Sequence, residues 1–275
     1  MRQVQGRRRQ RIRTLFVSDV HLGCRHAHAE QFLDFLRQHS PEQIFLVGDI
    51  IDGWKLRRSL AWQPIFNDIL AHLYELAESG VTICYTPGNH DAFLRRFPWN
   101  FSFVKVQDEF IFEASDGRRY LVTHGDKFDV VERSAGWISR LAAIGYDVLL
   151  SANRGVSAWR KLKPGSEYSL GAVIKRRVKQ FVRYISDFEG RLVAHGRKLG
   201  CDGVICGHIH TPAQTEIDGI VYCNTGDWVE NCTALVEYES GELELLRYFD
   251  GTPQMEPLDE EFPREEFAAT PSTVA

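Results

Sequence analysis

Five short blocks of this 275-residue chain combine residue types that bind cations or move protons. They are Asp19-Val20-His21, Gly48-Asp49 with Asp52 close behind, Gly88-Asn89-His90-Asp91, His124-Gly125-Asp126 and Gly207-His208-Ile209-His210. Carboxylates, imidazoles and an amide form a mixed oxygen–nitrogen donor set without cysteine. Such a set suits Mn, Fe, Zn or Co better than a cysteine-rich structural zinc site does. The candidate ligands are too many for one ion, and two ions sharing a carboxylate would use them well. Such a pair, about 3.5–4 Å apart, can activate water and clamp phosphoryl oxygens during in-line displacement. Taken singly, each block has a plainer reading as a turn, a helix cap or a polar loop. The order and placement of the set carry the argument. In an extended segment residues i and i+2 face the same side, so His208 and His210 can grip one ion or two close together.

Each block follows a short apolar run. "RTLFVSD", "QIFLVGD", "VTICYTPGN", "RYLVTHGD" and "DGVICGH" read as buried strands. Between the first three, "HAEQFLDFLRQHS" and "WQPIFNDILAHLYELAESG" carry apolar residues at helical spacing. Strand–helix alternation predicts a parallel sheet covered by helices, with ligands gathered at the carboxyl ends of the strands. The five blocks are therefore expected along one edge of one sheet. Past His210, "AQTEIDGIVYCN" with its Asp218-Gly219 turn and "CTALVEYESGELELLRYF" read as hairpins. Half of the ten histidines fall in the blocks. His26, His28, His39, His72 and His195 are expected at the surface, without a role.

Residues 1–13 carry six arginines and no acid, which reads as a basic arm, and residues 14–250 as one domain. Residues 130–198 read as a basic helical insertion. Between 130 and 200 there are fourteen Lys/Arg against five Asp/Glu, inside a chain of net charge −4. That imbalance points to an anionic partner or a solvated helical face. Residues 251–275 read as an acidic flexible tail. No stretch approaches the roughly 18 apolar residues of a membrane span, and no apolar segment follows the basic N-terminus as a secretory signal requires. The six cysteines form no CxxC pair and sit in apolar runs, which predicts free buried thiols and a cytoplasmic protein.

The ordered set DVH, GD, GNHD, HGD and GHIH, spanning residues 19–210, resembles the calcineurin-like metallophosphoesterase superfamily. The resemblance implies an α/β fold, a four-layer α/β/β/α sandwich with a helical insertion acting as a lid, and a dinuclear centre. Carried over by motif, Asp19, His21 and His210 bind the first ion and Asp49 bridges. Asn89, His124 and His208 hold the second. His90 is then no ligand but faces the phosphate as an acid or charge stabiliser, oriented by Asp91. The expected cofactor is two divalent ions, Mn2+ first, with Fe or Zn as alternatives. "VGDIIDGW", "HGDKFDVV", "YCNTGDWVENCTALVE" and the helical insertion are similar to the UDP-2,3-diacylglucosamine pyrophosphatase branch of lipid A synthesis. That likeness runs from about residue 14 to 248. Well-characterised members of the branch read GNRD where this chain reads GNHD.

The branch implies hydrolysis of the pyrophosphate of a UDP-linked acylated sugar to UMP and a lipid phosphate. It also implies a phosphorylated, lipid-linked substrate met at the membrane surface, with no obligate protein partner. Lys175, Arg176, Arg177 and Lys179 are the candidate anion contacts. A second enzymatic reading is a phosphodiesterase of nucleotides or nucleic acid, with the arginine arm and basic insertion on phosphates. The apolar residues interleaved through the insertion (Trp137, Ile138, Leu141, Ile144, Leu149, Leu150 and Trp159) suit acyl chains better than nucleic acid, or form the insertion's own core. A non-catalytic binding scaffold ranks last, because every ligand position is filled.

Overall fold

Alternation along three short strands separates the molecule into layers. Leu15 and Val17, Ile44 and Leu46, and Ile83 and Tyr85 enter one apolar core. The intervening Phe16, Phe45 and Cys84 enter another. Strand side chains point alternately to opposite faces, so a sheet whose two faces are both buried needs a layer on each side. The computed structural model describes residues 10–58, 62–96, 100–101, 103–129, 170–249 and 252–254, with the side chains of 170–182 outside that description.

In chain order the strands are β1 (Gln10–Arg11), β2 (Thr14–Val17), β3 (His39–Ser40), β4 (Gln43–Leu46), β5 (Thr82–Tyr85), β6 (Asn100–Phe101), β7 (Val104–Val106), β8 (Phe110–Glu113), β9 (Arg119–Val122), β10 (Gly203–Cys206), β11 (Ala213–Ile217), β12 (Ile220–Asn224), β13 (Thr233–Glu237), β14 (Leu243–Phe249) and β15 (Thr252–Gln254). The helices are α1 (Ala29–Gln38), α2 (Gly53–Arg58), α3 (Pro64–Glu78) and α4 (Leu170–Lys198). One sheet has the order β15-β14-β13-β2-β4-β5-β7-β6 and the other β11-β12-β10-β9-β8. Strands β2, β4, β5 and β7 run parallel. So do β9, β10 and β12.

The first core lies between the large sheet and the apolar faces of α1 (Phe32, Leu33, Phe35, Leu36) and α3 (Phe66, Ile69, Leu73, Leu76). The second lies between the sheets, where Phe16 stacks on Phe45 at 5.0 Å and meets Phe112 edge-on at 5.1 Å. The third joins the small sheet to α4 through Phe188, Leu192 and Val193. The layers are therefore helix, sheet, sheet, helix, as the resemblance implies. The expectation of one sheet edge is corrected: three ligand-bearing strands belong to the large sheet and two to the small one. Both hairpins form, and Asp218 and Gly219 both take positive φ (51° and 77°), as a tight two-residue turn demands.

Two histidines expected at the surface are buried. His39 is 0% exposed and its Nδ1–H donates to the Phe35 carbonyl, closing α1. His72 lies on the inner side of α3. All six cysteines are free, and all but the half-buried Cys24 are buried. No described helix is long and apolar enough to cross a membrane. Residues 1–9, 130–169 and 255–275 lie outside the described residues, and with them most of the arm, most of the insertion and the tail. Lys175, Arg176, Arg177 and Lys179 fall on the backbone of α4, but their side chains lie outside the described residues.

Candidate metal centre

The loops at the carboxyl ends of β2, β4, β5, β9 and β10 converge. Among the described residues seven non-glycine positions take positive φ, and five of them are Asp19, His21, Asp49, His208 and His210. Such backbone is uncommon for residues with a Cβ, and it persists only where surrounding contacts impose it. Here the strands end abruptly and turn polar side chains inward. Asp19 N bonds Gly48 O and His21 N bonds Asp49 O, which ties the first two loops together.

Close packing also depends on glycine. A Cβ on Gly88 would overlap Asp49 Oδ1 and lie 2.6 Å from His124 Nε2. A Cβ on Gly207 would lie 2.5 Å from Asp19 Oδ2. Only a bare backbone lets ligands from neighbouring strands lie against these positions.

Donor atoms gather around two carboxylates. Asp19 Oδ1 is buried with no hydrogen bond, while His210 Nε2 stands 3.1 Å and His21 Nε2 3.7 Å away. Asp49 Oδ2 is 3.4 Å from His124 Nε2, which is itself 3.4 Å from Asn89 Oδ1. Three sets place ligand atoms within 4.8 Å of one another: Asp19–His21–His210, His21–Asp49–His90 and Asp19–Asp49–His124. An orphaned buried carboxylate oxygen facing imidazole nitrogens is the environment a divalent cation satisfies, so the residues fit two metals sharing this cluster.

The outer hydrogen bonds select which nitrogen faces inward. His124 Nδ1–H donates to the Val47 carbonyl at 2.8 Å, leaving Nε2 toward Asp49 and Asn89. Asp52 lies 3.6 Å from His21 Nδ1 and 3.1 Å from His90 Nδ1, so one carboxylate orients two rings. Carboxylate–histidine pairs of this kind hold metal ligands in place. Without a cation, burial opposes charge on His21. Bonds to Asp19 and Asp52 outweigh it and raise its pKa to about 10. Burial likewise opposes the Asp49 carboxylate, but the charge and hydrogen bond of His124 bring it down to about 2. A cluster that binds protons this way offers its lone pairs to a cation instead.

The structure brings Asp19, His21, Asp49, Asn89, His90, His124 and His210 together and sets His208 slightly apart. His208 Nε2 is 3.0 Å from Asp129 Oδ2, and its ring is 5.2 Å from that of His124. Asp129 also accepts from the Tyr184 hydroxyl of α4 at 2.6 Å. The orienting role expected of Asp91 is corrected. Its carboxylate accepts from Gly88 N (2.6 Å), Ile50 N (2.8 Å) and the Tyr85 hydroxyl, and it makes no contact with the His90 ring. Buried beneath the loops, Asp91 binds the end of β5 to the end of β4. Burial, and then the charge of Asp49, push its pKa up. Asp52 takes the contact instead. Its place within the "GDIID" block was visible in sequence, but its partners were not.

The stretch 224–232 supports the centre from behind. Trp228 N bonds Asp19 O at 3.0 Å, Asn231 Nδ2 bonds His210 O at 3.0 Å, and Asp227 holds the turn between them.

Comparison with known proteins places the chain among sequence relatives. A curated UDP-2,3-diacylglucosamine hydrolase of Porphyromonas gingivalis W83 is 30% identical over 141 residues, covering 48% of this chain and 53% of the relative. The matched chain thus spans about half the length of that relative. Another protein of that name, from Aeromonas salmonicida A449, is 25% identical over 238 residues, covering 81% of this chain and 89% of the relative. Among solved structures, Vps29 of Entamoeba histolytica complexed with Zn2+ aligns at a TM-score of 0.43 and 14% identity, over 88% of this chain and 95% of that one. The sequence model of the calcineurin-like phosphoesterases matches residues 12–212, and the chain belongs to that family.

Proposed function

We propose that the protein is a dinuclear-metal phosphohydrolase that cleaves the pyrophosphate of a UDP-linked acylated sugar, releasing UMP and a lipid phosphate. The observation that carries the chemistry is the convergence of Asp19, His21, Asp49, Asn89, His124 and His210 on one cluster. Two divalent cations, Mn2+ by preference, supply Lewis acidity and clamp the phosphoryl oxygens. Asp49, which belongs to two of the candidate ligand groups, would be the carboxylate shared by both ions. His208 would complete the second set, with Asp129 orienting its ring.

In the reaction a water oxygen, giving up a proton to solvent, bonds to one phosphorus as the bond from that phosphorus to the bridging oxygen breaks. His90 protonates the departing oxygen. Its Nδ1 is held by Asp52, which leaves Nε2 for the substrate. The lipid half of the reading is supported by the curated relatives' name and by α4. This helix leads out of the insertion and reaches the centre through Tyr184 and Asp129. The reaction takes place at the cytoplasmic face of the membrane, where an acylated substrate lies.

The test uses purified Mn2+-loaded protein. Cleavage of an acylated UDP-sugar, strongly preferred over its unacylated form, is expected, since each buried methylene contributes about 0.8 kcal/mol. Ready hydrolysis of a small generic phosphodiester with the acylated sugar untouched refutes the substrate and leaves the chemistry.

A further inference from the structure

Helix α2 begins four residues after Asp49 and carries an aromatic ring at the edge of the centre. The Trp54 indole lies over the His90 imidazole at 4.0 Å between centroids, tilted by 31°. Trp54 nevertheless stays 48% exposed. One face of the ring is covered by the imidazole, and among the described residues no ring stacks on the other. The rings of His21, His90 and Trp54 follow one another outward, His21 to His90 at 4.6 Å. Trp54, Arg57 and Arg58 stand at i, i+3 and i+4, on one side of the helix. Both arginines are exposed, and among the described residues neither makes an ion pair. The helix is anchored: Lys55 N bonds Asp52 Oδ1 at 2.9 Å, and Leu56 packs onto Gly23.

We propose that the outer face of α2 is the subsite for the nucleotide half of the substrate. Trp54 stacks the base, and Arg57 and Arg58 provide the positive field that draws the phosphates in. The inference rests on the reading of the substrate as a nucleotide-linked phosphoanhydride. A nucleotide held by its phosphates at the metals carries its base about one sugar away, and Trp54 is the next ring outward from His90 and His21. Flat bases stack on indole whatever their sequence identity. An acyl chain would need apolar walls, and this helix face offers one ring among cations. Exposed arginines on the helix that borders the centre raise the local concentration of an anionic ligand.

The experiment titrates Mn2+-loaded full-length protein with UMP and with ribose 5-phosphate by calorimetry. UMP is expected to bind about tenfold more tightly, the size of one base–aromatic stack. Trp54→Ala should bring UMP down to the level of ribose 5-phosphate, and Trp54→Phe should keep most of the difference. Arg57→Ala with Arg58→Ala should weaken both ligands by the same factor and flatten the salt dependence. Equal affinities in the native protein, or unchanged discrimination in Trp54→Ala, overturn the proposal. So does Trp54-dependent binding to phosphatidylglycerol vesicles without UMP discrimination, which would assign the face to a membrane. The two readings fail separately. Trp54-dependent discrimination in a protein that leaves the acylated UDP-sugar intact keeps the subsite and rejects the substrate. Cleavage of that sugar with the same KM in native protein and Trp54→Ala keeps the substrate and rejects the subsite.

Discussion

His90 sits at the meeting of three contacts, with Asp52 on Nδ1, Trp54 over its face and His21 edge-on. In the proposed role of acid it should be dispensable for metal binding. His90→Ala is expected to lower kcat by roughly 10²–10⁴, the usual contribution of a positioned acid or base, with both metals retained. Steady-state rates and metal content of the same preparation check this. Loss of a metal would make His90 a ligand, as its closeness to Asp49 and His21 allows. Asp52→Asn keeps the shape and removes the charge that faces both rings. It should weaken metal binding by about 10–100-fold, the range for a lost outer partner of a ligand. Competition with a chelating indicator measures that shift.

At the scale of elements, the loops after β4 and β5 are joined through Asp91. Replacing it by Ala leaves Gly88 N, Ile50 N and the Tyr85 hydroxyl without their buried acceptor. Each unsatisfied group costs about 1–3 kcal/mol. For a chain of this size each kcal/mol lowers Tm by about 2–4 °C. Asp91→Ala is therefore expected to melt clearly earlier, as calorimetry would show. A catalytic role would lower kcat at unchanged Tm. Gly88→Ala tests the same junction from the other side. Its methyl would press between Asp49 and His124 and spread them, so metal affinity should fall while β5 and its core contacts persist. Metal titration with circular dichroism on the same variant separates the two.

For the molecule as a whole, the cost of the centre falls on the fold. Asp19, Asp49 and Asp52 are all buried, side by side at the carboxyl ends of β2 and β4 in the large sheet. A cation bound only by the folded state stabilises it by RT ln(1 + [L]/Kd), about 2.7 kcal/mol at a hundredfold excess over Kd. Tm should rise with metal concentration and fall on chelation, and a flat Tm across that titration would mean no ion binds at this cluster. The aromatic stack between the sheets carries no chemistry, so Phe16→Ala should cost about 3–5 kcal/mol and leave metal affinity of the surviving folded protein unchanged.

The chain's order of motifs determined a great deal by itself. Short apolar runs ending at Asp19, Asp49, Asn89, His124 and His208 define strands and the ends that carry ligands, because apolar runs and turn chemistry are local. The Asp218-Gly219 turn and both hairpins were legible for the same reason. Which sheet each strand joins was not, since pairing β9 with β10 spans a segment of about eighty residues and depends on the faces those strands bury together. Nor was the choice between Asp52 and Asp91 as the partner of His90. Both are acidic residues near a ligand in sequence. Only tertiary packing decides that Asp91 turns down onto Gly88 and Tyr85 while Asp52, one loop away, turns toward two imidazoles. The burial of His39 and His72 was hidden likewise, because a histidine on a helix or at its end reveals its surroundings only when another layer covers it.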